Sequence, residues 1–278
     1  MKTFKLKPIN NSTRHANLLQ KNVLIKNNKI FKDLRISLKK AHGRSTSTGH
    51  ITSWHKQRGS KLLYRDIIND KKMSKSVLIG VNYDPNRNSF TSVNFDLDKK
   101  EFFNDLYIKN TYPGSLVNKS TNASDLRNGY RLKLKDIPTG TLVSNISQKN
   151  SSNGKYAKAA GSSALLVEKN NFMAQLKLPS DDTIELSVDS LATIGIVANE
   201  VHKNIVIGKA GRSRNMGRRP IVRGIAMNPV DHPHGGRSNG GRPSVTPWGL
   251  PTKNKFKLKR RKYKNKKVCQ DQNGKGSF

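Results

Sequence analysis

The sequence predicts a mostly β protein in which two small barrels lie between long basic extensions. Short runs rich in β-branched and aromatic residues alternate with Pro, Gly, Asn and Asp turn signals through the middle of the chain. Positive charge is concentrated at both ends. Only 33% of the 278 residues are hydrophobic, which is too few for one large core. The predicted divisions are an N-terminal extension at 1–60, a first barrel at 61–125, a second barrel at 126–200 and a C-terminal extension at 201–278.

The distribution of charge separates the middle of the chain from its ends. Residues 1–60 carry 14 basic and one acidic side chain, residues 61–200 carry 19 and 15, and residues 201–278 carry 20 and two. The net charge of the chain is +35, which favours a phosphate-rich partner because each neutralised phosphate releases counterions. An anionic membrane would attract the same charge. No apolar run approaches the roughly 18 residues of a spanning helix, so we expect no membrane partner.

The N-terminal extension contains the segment GRSTSTGHITSWHKQRG at 43–59. Its hydroxyl, Gly and basic residues surround Trp54 and can contact phosphate and sugar. A flexible tail without a partner is the alternative, and similar chemistry at the other end of the chain favours binding. The first ten residues lack the apolar stretch of a secretory signal, and the single Cys269 excludes an internal disulfide. We therefore expect a reducing compartment.

The first barrel is predicted from four strand-like runs at 62–68, 76–84, 90–97 and 102–110. Asp84-Pro85-Asn86-Arg87 is a turn signal after the second run. The polar stretch 118–128 follows and indicates a boundary near residue 125.

The second barrel is predicted from six further runs at 130–137, 139–147, 163–169, 172–178, 183–188 and 192–198. Turn signals at 138–140, 153–154 and 181–182 punctuate these runs. The loop NGKYAKAAGSSA at 153–164 places Lys155 and Lys158 among small residues, which allow close approach to a phosphate. A plain β-turn explains this loop equally well, and the two interpretations stay open.

The C-terminal extension begins with a glycine-rich arginine cluster at 201–224. Planar guanidinium groups can fork onto phosphates or stack on bases. A solvated charged face is the alternative, but five arginines within twelve residues without an acidic neighbour favour binding. These arginines are Arg212, Arg214, Arg218, Arg219 and Arg223. The lysine-rich segment 253–267 then predicts a tail that orders on binding.

The run GIAMNPVDHPHGGRSNGGRPSVTPWG at 224–249 has four Pro and six Gly and shows neither helical nor strand periodicity. We expect that it cannot satisfy its own backbone and that a partner supplies the missing hydrogen bonds. Its candidate binding residues are His232, His234, Arg237, Arg242 and Trp248.

The residues of the run 224–249 argue against a catalytic triad and against a metal site. Adjacent Asp231 and His232 cannot generally form the side-chain relay of a catalytic triad. His232 and His234 offer two metal ligands, but no nearby Cys or second carboxylate completes a site. His232 as a general base remains an alternative to a structural role. We predict no enzyme, metal or cofactor. A free-standing basic protein that binds DNA or chromatin is the rival explanation for the charge.

Several motifs carry a resemblance to the uL2 (L2) family of large-subunit ribosomal proteins. The motifs are Ala226–Gly236 (AMNPVDHPHGG), Val245–Gly249 (VTPWG), Tyr83–Arg87 (YDPNR), Ile137–Gly140 (IPTG), Gly208–Gly211 (GKAG) and Arg219–Gly224 (RPIVRG). They occur in the family's order and cover about four-fifths of the chain in outline.

The resemblance implies an OB-fold barrel, then an SH3-like barrel, with extensions that enter large-subunit rRNA near the peptidyl transferase centre. It implies support of peptidyl transfer and of subunit association, with rRNA and other large-subunit proteins as partners. It also implies a possible contact to the small subunit and no homo-oligomer, and any Mg²⁺ would be bound through rRNA. Arg87 and Lys158 match rRNA-binding positions of the family, although Lys158 stands where the family has arginine. His232 matches the histidine that the family connects with peptidyl transfer.

The chain also departs from the family pattern. Ser53-Trp54-His55-Lys56 stands where bacterial relatives are glycine-rich, and Arg237 stands where a glycine is common. The barrels are rich in Asn, Lys and Ile, which is typical of an AT-rich genome. We therefore expect a mitochondrial member, with a plastid or the bacterial cytoplasm as alternatives.

Overall fold

The computed structural model describes residues 2–21, 24, 32–37, 43–57, 59–67, 75–118, 126–148, 154–237 and 242–252. The predicted tail at 253–267, Cys269 and most of the polar stretch 118–128 lie outside these residues. The chain divides into two compact units. The first takes its described residues from 1–42 and 58–217, and the second takes them from 43–57 and 218–278.

The first unit begins with a small antiparallel ladder of β1 (Thr3–Lys5) and β2 (Asn17–Leu19), joined through the four-residue helix α1 (Asn11–Arg14). Asn17 also exchanges backbone hydrogen bonds with Val206 at 3.0 Å in each direction. Leu19 and Leu24 are buried in the core of the first large sheet. Part of the predicted N-terminal extension therefore closes a core.

The first large sheet has four antiparallel strands in the order β7-β6-β5-β8. These are β5 (Lys75–Asn82), β6 (Thr91–Asp96), β7 (Phe102–Leu106) and β8 (Leu116–Asn118). A register shift between Leu78 and Gly80 marks a bulge in β5, and a bulge bends a strand and increases its twist. A two-stranded ladder of β3 (Arg35–Ser37) and β4 (Leu63–Arg65) lies in the same unit. Leu78, Val81 and Phe90 form the centre of the core.

The second large sheet has six antiparallel strands in the order β15-β14-β13-β10-β16-β9. Its strands are β9 (Arg131–Lys133), β10 (Leu142–Ser144), β13 (Ala164–Lys169), β14 (Met173–Lys177), β15 (Thr183–Ser187) and β16 (Leu191–Ile194). A separate pair joins β11 (Ile146–Ser147) to β12 (Gly154–Tyr156). Leu132, Leu166 and Leu176 are fully buried in one cluster, because alternate strand residues face inward, and Ile137 from the loop after β9 joins them.

The two large sheets are connected within the first unit. Ile108 and Val197 form an isolated antiparallel bridge, and the Ala198 amide donates to the Tyr107 carbonyl at 3.0 Å. Lys109 pairs with Glu200 at 2.9 Å. These contacts fix the loops at one end of each sheet relative to each other.

Helical structure in the described residues is short. Single 3₁₀ turns occur at Leu134–Asp136, Glu200–Asn204 and Gly224–Ala226, and α2 spans Ala210–Asn215. Within the described part of the chain, no helix is long and apolar enough to cross a membrane.

The mostly β prediction is confirmed, and the curled sheets agree with an OB-fold barrel followed by an SH3-like barrel. Several details differ from the expected runs. The run at 130–137 is a strand only to Lys133 and then turns as a 3₁₀ helix. The short strands β1, β2, β3, β8 and β12 have too few residues for a period-two pattern to be recognised. The three predicted boundaries between the four divisions of the chain stay predictions.

Candidate nucleic-acid interface

Arg87 lies in a turn whose polar groups are largely paired with one another. Its Nε lies 2.9 Å from Asp84 Oδ2, an ion pair without the angle of a hydrogen bond, and its Nη2 donates to the Arg65 carbonyl at 3.0 Å. The guanidinium also lies 5.4 Å from the ring centroid of Tyr64. Its side chain is only 20% exposed, so Arg87 presents a fixed, partly covered positive charge.

Asp84 organises this turn from a buried position. Its Oδ1 accepts from the Asn86 amide at 2.9 Å and lies 3.6 Å from Arg65 Nη1. Burial lowers the pKa of Arg65, and the neighbouring Asp84 carboxylate opposes this change. The residues Asp84–Arg87 therefore form a turn that is held by the Asp84 carboxylate, and this turn also carries the charge of Arg87.

Lys158 lies close enough to Arg87 and Arg131 for their charges to affect it. Partial desolvation lowers the pKa of Lys158, and the positive charges of Arg87 and Arg131 lower it further. Arg131 is buried in β9, where burial lowers its pKa and Asp105 opposes the change. Of these three basic residues, Arg131 is buried and Arg87 is paired with Asp84, whereas the Lys158 side chain is exposed and available to a phosphate. Sequence reasoning missed Arg131, because it reads as an ordinary strand residue.

Lys155 lies on β12, inside the loop that was predicted at 153–164. Its ammonium donates to the Gln148 side chain and lies 5.6 Å from the ring centroid of Tyr156. Gly154 fits closely against Asn145, which has a φ of 49°. Part of this segment pairs with β11, and both Lys155 and Lys158 are exposed, so its role as a contact surface stays a prediction.

Arg212 and Arg214 lie on α2, within the segment that the sequence shows as a glycine-rich arginine cluster. Arg212 Nη1 donates to the Ile207 carbonyl at 2.6 Å. Arg214 Nη1 is buried and has no hydrogen-bond partner among the described residues. The helix forms because six consecutive residues here contain only one glycine and no proline.

The second unit brings the segment 43–57 against the start of the C-terminal extension. Lys56 and Arg218 form an antiparallel bridge, and the Arg219 amide donates to the His55 carbonyl at 2.9 Å. Gly43 has a φ of 74°, and a Cβ there would lie 2.3 Å from the Ser53 carbonyl oxygen. The GRSTSTGHITSWHKQ segment is therefore a folded part of this unit.

His232 and His234 hold the proline- and glycine-rich run together. The ring of His232 is buried, and its Nδ1 accepts from the His234 amide at 3.0 Å. The Gly235 amide donates to the His232 carbonyl at 2.8 Å, and the Gly236 amide donates to the Met227 carbonyl at 3.2 Å. The expectation that this run cannot satisfy its own backbone was wrong for these groups, because two histidine rings and tight turns supply acceptors inside the chain.

His234 links the two halves of the run. Its Nε2 lies 3.1 Å from both the Val245 amide nitrogen and the Pro243 carbonyl oxygen. One ring nitrogen cannot accept from the first and donate to the second, so the tautomer decides which bond forms. Arg242 Nη1 adds a bond to the Pro233 carbonyl at 2.8 Å.

The remaining predicted residues are at the surface of the second unit. Arg218, Arg219, Arg223, Arg237 and Trp248 are exposed. Large apolar side chains are exposed beside them in sequence, among them Ile221, Val222, Ile225 and Val230. The described residues of this unit include seven Lys or Arg and one acid, Asp231. Such a surface suits a partner with both negative charge and apolar faces.

Trp54 was not among the predicted site residues, although it packs against one of them. The ring centroids of Trp54 and Trp248 are 6.1 Å apart and their planes cross at 63°. The sequence signal was its position in the segment 43–59, whose hydroxyl, Gly and basic residues predicted an RNA contact. Among the described residues, no group of three or more His, Cys, Asp or Glu side chains is placed to hold a metal ion.

Two curled β sheets, a cluster of cations on the first unit and a cationic second unit define the class of basic β proteins that bind nucleic acid. Residues 31–118 match the family described as Ribosomal Proteins L2, RNA binding N-terminal domain, and residues 127–249 match Ribosomal Proteins L2, C-terminal domain. The chain therefore belongs to the ribosomal protein L2 family.

Curated relatives match most of the chain. It is 44% identical to the large ribosomal subunit protein uL2m of Reclinomonas americana over 274 residues, which cover 96% of each chain. It is 44% identical to uL2 of Rickettsia canadensis over 232 residues, covering 81% of this chain and 83% of the relative. It is 40% identical to uL2 of Ehrlichia chaffeensis, covering 95% and 96%.

Proposed function

We propose that this chain is a structural protein of the large ribosomal subunit and that it binds large-subunit rRNA. The observation that carries the proposal is the second unit, whose described residues combine exposed arginines and tryptophans with one acidic residue, Asp231. The names of the relatives support the same assignment. Its partners are rRNA and neighbouring large-subunit proteins, and its role includes support of the peptidyl transferase centre and of subunit association.

The mode of binding follows from the geometry of the two units. Arg87, which is held by Asp84, and the exposed Lys158 offer positive charges that can locate a folded RNA backbone. In the second unit, internal hydrogen bonds preset the backbone path, so less conformational entropy is lost on binding. Arg218, Arg219 and Arg223 then neutralise phosphates. Any Mg²⁺ at the interface would be held by the rRNA.

A catalytic role for His232 is disfavoured by the hydrogen bond at its Nδ1. A backbone amide can only donate, so Nδ1 must be unprotonated and the neutral ring carries its proton on Nε2. The lone pair that a general base requires is thus already occupied. We infer that the protein is not an enzyme and that His232 orients the run 224–237.

Substitution of His232 separates the two roles. His232→Asn keeps an acceptor near the position of Nδ1, whereas His232→Gln does not. We expect large subunits carrying the Asn variant to assemble and to form peptide bonds, and the Gln variant to assemble poorly. Normal assembly of both variants with peptide bond formation abolished would support catalysis.

Mitochondrial localisation is part of the proposal, with a plastid or the bacterial cytoplasm as alternatives. The similarity to uL2m of Reclinomonas americana supports it, although bacterial relatives are equally similar. Fractionation of the source cell tests it. The protein should be enriched in the fraction that contains mitochondrial ribosomes. Enrichment with plastid or bacterial ribosomes would contradict mitochondrial localisation.

Sedimentation distinguishes the ribosomal role from that of a free-standing protein that binds DNA or chromatin. At moderate salt the chain should migrate with the large subunit in a density gradient. A chromatin protein would instead follow DNA, and treatment with DNase would release it. Migration apart from the large subunit would refute the ribosomal proposal.

A further inference from the structure

Two exposed tryptophans from opposite ends of the chain meet in the second unit. Trp54 is 56% exposed and Trp248 is 66% exposed. Their centroid distance of 6.1 Å and interplanar angle of 63° give a T-shaped contact, in which the edge of one ring meets the face of the other. This contact leaves ring faces open to the solvent.

The segment that carries Trp54 is held by backbone hydrogen bonds. The amides of Thr52 and Ser53 both donate to the Gly43 carbonyl, at 2.8 and 3.0 Å. On the other side of Trp54, the His55 carbonyl accepts from the Arg219 amide. The position of Trp54 is therefore set by the fold before any partner binds.

The segment that carries Trp248 is a tight turn. The Gly249 amide donates to the Thr246 carbonyl at 2.9 Å, and the Leu250 amide donates to Thr246 Oγ1 at 3.1 Å. Gly249 has a φ of 76°, a region that glycine enters without strain. Val245 and Pro251 close the turn with an antiparallel bridge. Both rings are therefore presented by rigid backbone.

The charge around the pair indicates the chemistry of the partner. The described residues of this unit hold seven Lys or Arg and one acid, so a polyanion complements the surface. Single-stranded RNA combines negative charge with flat apolar bases, and these stack on aromatic side chains. A duplex offers no free base faces along its length, so it does not complement two open rings.

We propose that Trp54 and Trp248 form a stacking platform for an unpaired base of RNA. The proposal rests on the rRNA-binding function above and names a subsite for it. Arg218 bridges Lys56, and the Arg219 amide donates to the His55 carbonyl, so both arginines lie beside the segment of Trp54 and supply charge for the adjoining phosphates.

Fluorescence of the full chain reports this contact directly, because Trp54 and Trp248 are its only tryptophans. The probes are a single-stranded oligouridylate and an abasic oligonucleotide of equal length and charge. We expect the oligouridylate to quench the emission strongly and the abasic strand to bind with little quenching. Equal quenching by both strands would overturn the proposal.

Substitutions provide a second, independent test. Trp54→Ala and Trp248→Ala should each weaken oligouridylate binding by about fivefold or more, the lower end of the effect of removing one stacked base. Trp54→Phe retains an aromatic face and should keep most of the affinity. Phe172→Ala is the matched control, since Phe172 is 65% exposed in the first unit.

The possible failures are distinguishable. If the tryptophan variants bind oligouridylate like the wild type while the chain still migrates with large subunits, stacking is refuted and the ribosomal function stands. If the wild-type chain stays off large subunits, the ribosomal function is refuted, and the fluorescence comparison still decides stacking. If ribosomal proteins quench the emission of Trp54 and Trp248 and RNA does not, the two tryptophans contact a protein, and the proposal is overturned.

Discussion

Gly224 and His232 are in such close contact that no side chain fits between them. A Cβ on Gly224 would lie 2.7 Å from His232 Cε1 and 2.8 Å from its Nδ1. We expect Gly224→Ala to displace the ring and to weaken the hydrogen bond from the His234 amide. The measurement is hydrogen exchange at the His234 amide, which should accelerate by tenfold or more if about 1.4 kcal/mol of local stability is lost.

Gly211 is the matched control for this substitution. It lies in α2, and a Cβ there would meet no atom within 4 Å. Gly211→Ala should leave exchange at His234 unchanged and stabilise the helix by up to about 1 kcal/mol. Unchanged exchange at His234 in Gly224→Ala would show that the ring does not depend on this contact.

We expect Lys158 to make RNA binding depend on pH. Its pKa in the free protein is lowered by partial desolvation and by Arg87 and Arg131. In the window between the lowered and the ordinary pKa, the unfolded chain binds more protons, so the contribution of Lys158 to stability rises with pH. A bound phosphate favours the charged form, so affinity should fall as pH rises through the same window.

Comparison with Lys158→Arg isolates this effect. Arginine stays charged throughout the window, so its affinity for RNA should decline less with rising pH. RNA-binding titrations at several alkaline pH values would measure the affinity of the wild type relative to that of Lys158→Arg. The other lysines titrate in both proteins, so their effect cancels in this ratio. Parallel pH profiles would show that Lys158 contacts no phosphate.

At the scale of elements, the turn after β5 depends on the buried Asp84. Asp84→Asn removes the charge that compensates Arg65, while keeping the size of the side chain. Loss of one partner from a buried ion pair costs about 3–5 kcal/mol, and we expect urea unfolding to report a loss of this order. Asp181→Asn, which removes an exposed partner of Lys177, should cost less than about 1 kcal/mol. Equal losses in the two variants would contradict this role of Asp84.

The long strands were predictable because their residue types and turn signals agree. The runs at 76–84, 90–97 and 172–178 correspond to β5, β6 and β14. The strand β12 was not predictable from Gly154-Lys155-Tyr156, since three residues carry no periodicity and their pairing with β11 is set by tertiary contacts. The helix α2 was not predicted, because six residues are too few for a helical periodicity to be recognised.

At the scale of the whole molecule, positive charge should determine the salt dependence of RNA binding. Arg218, Arg219 and Arg223 are exposed in the second unit. Replacing all three by Ala should reduce the slope of log affinity against log salt by about 0.7–0.9 for each phosphate that the variant no longer neutralises. Binding of the full chain to an rRNA fragment at several salt concentrations measures the slope. Lys177→Ala is the control, and an equal reduction there would mean that the charge acts without a defined surface.

The candidate site was only partly predictable, because its members are distant in sequence. Charge and motif indicated the arginines and His232, but not that His232 would use its Nδ1 within the chain. The contact of Trp54 with Trp248 joins the two ends of the sequence, and no local pattern carries that information. Arg131 is in a buried strand, where its proximity to Lys158 follows from the arrangement of the sheets.

The central claim is that the second unit of this L2-family chain contacts rRNA through its exposed basic and aromatic surface. Ultraviolet crosslinking of isolated large subunits, followed by mass spectrometry of the chain, tests it most directly. We predict nucleotide adducts on peptides from 43–57 and 218–252, including Trp54 or Trp248. Large subunits that contain the chain but give adducts only on peptides of the first unit would contradict the claim.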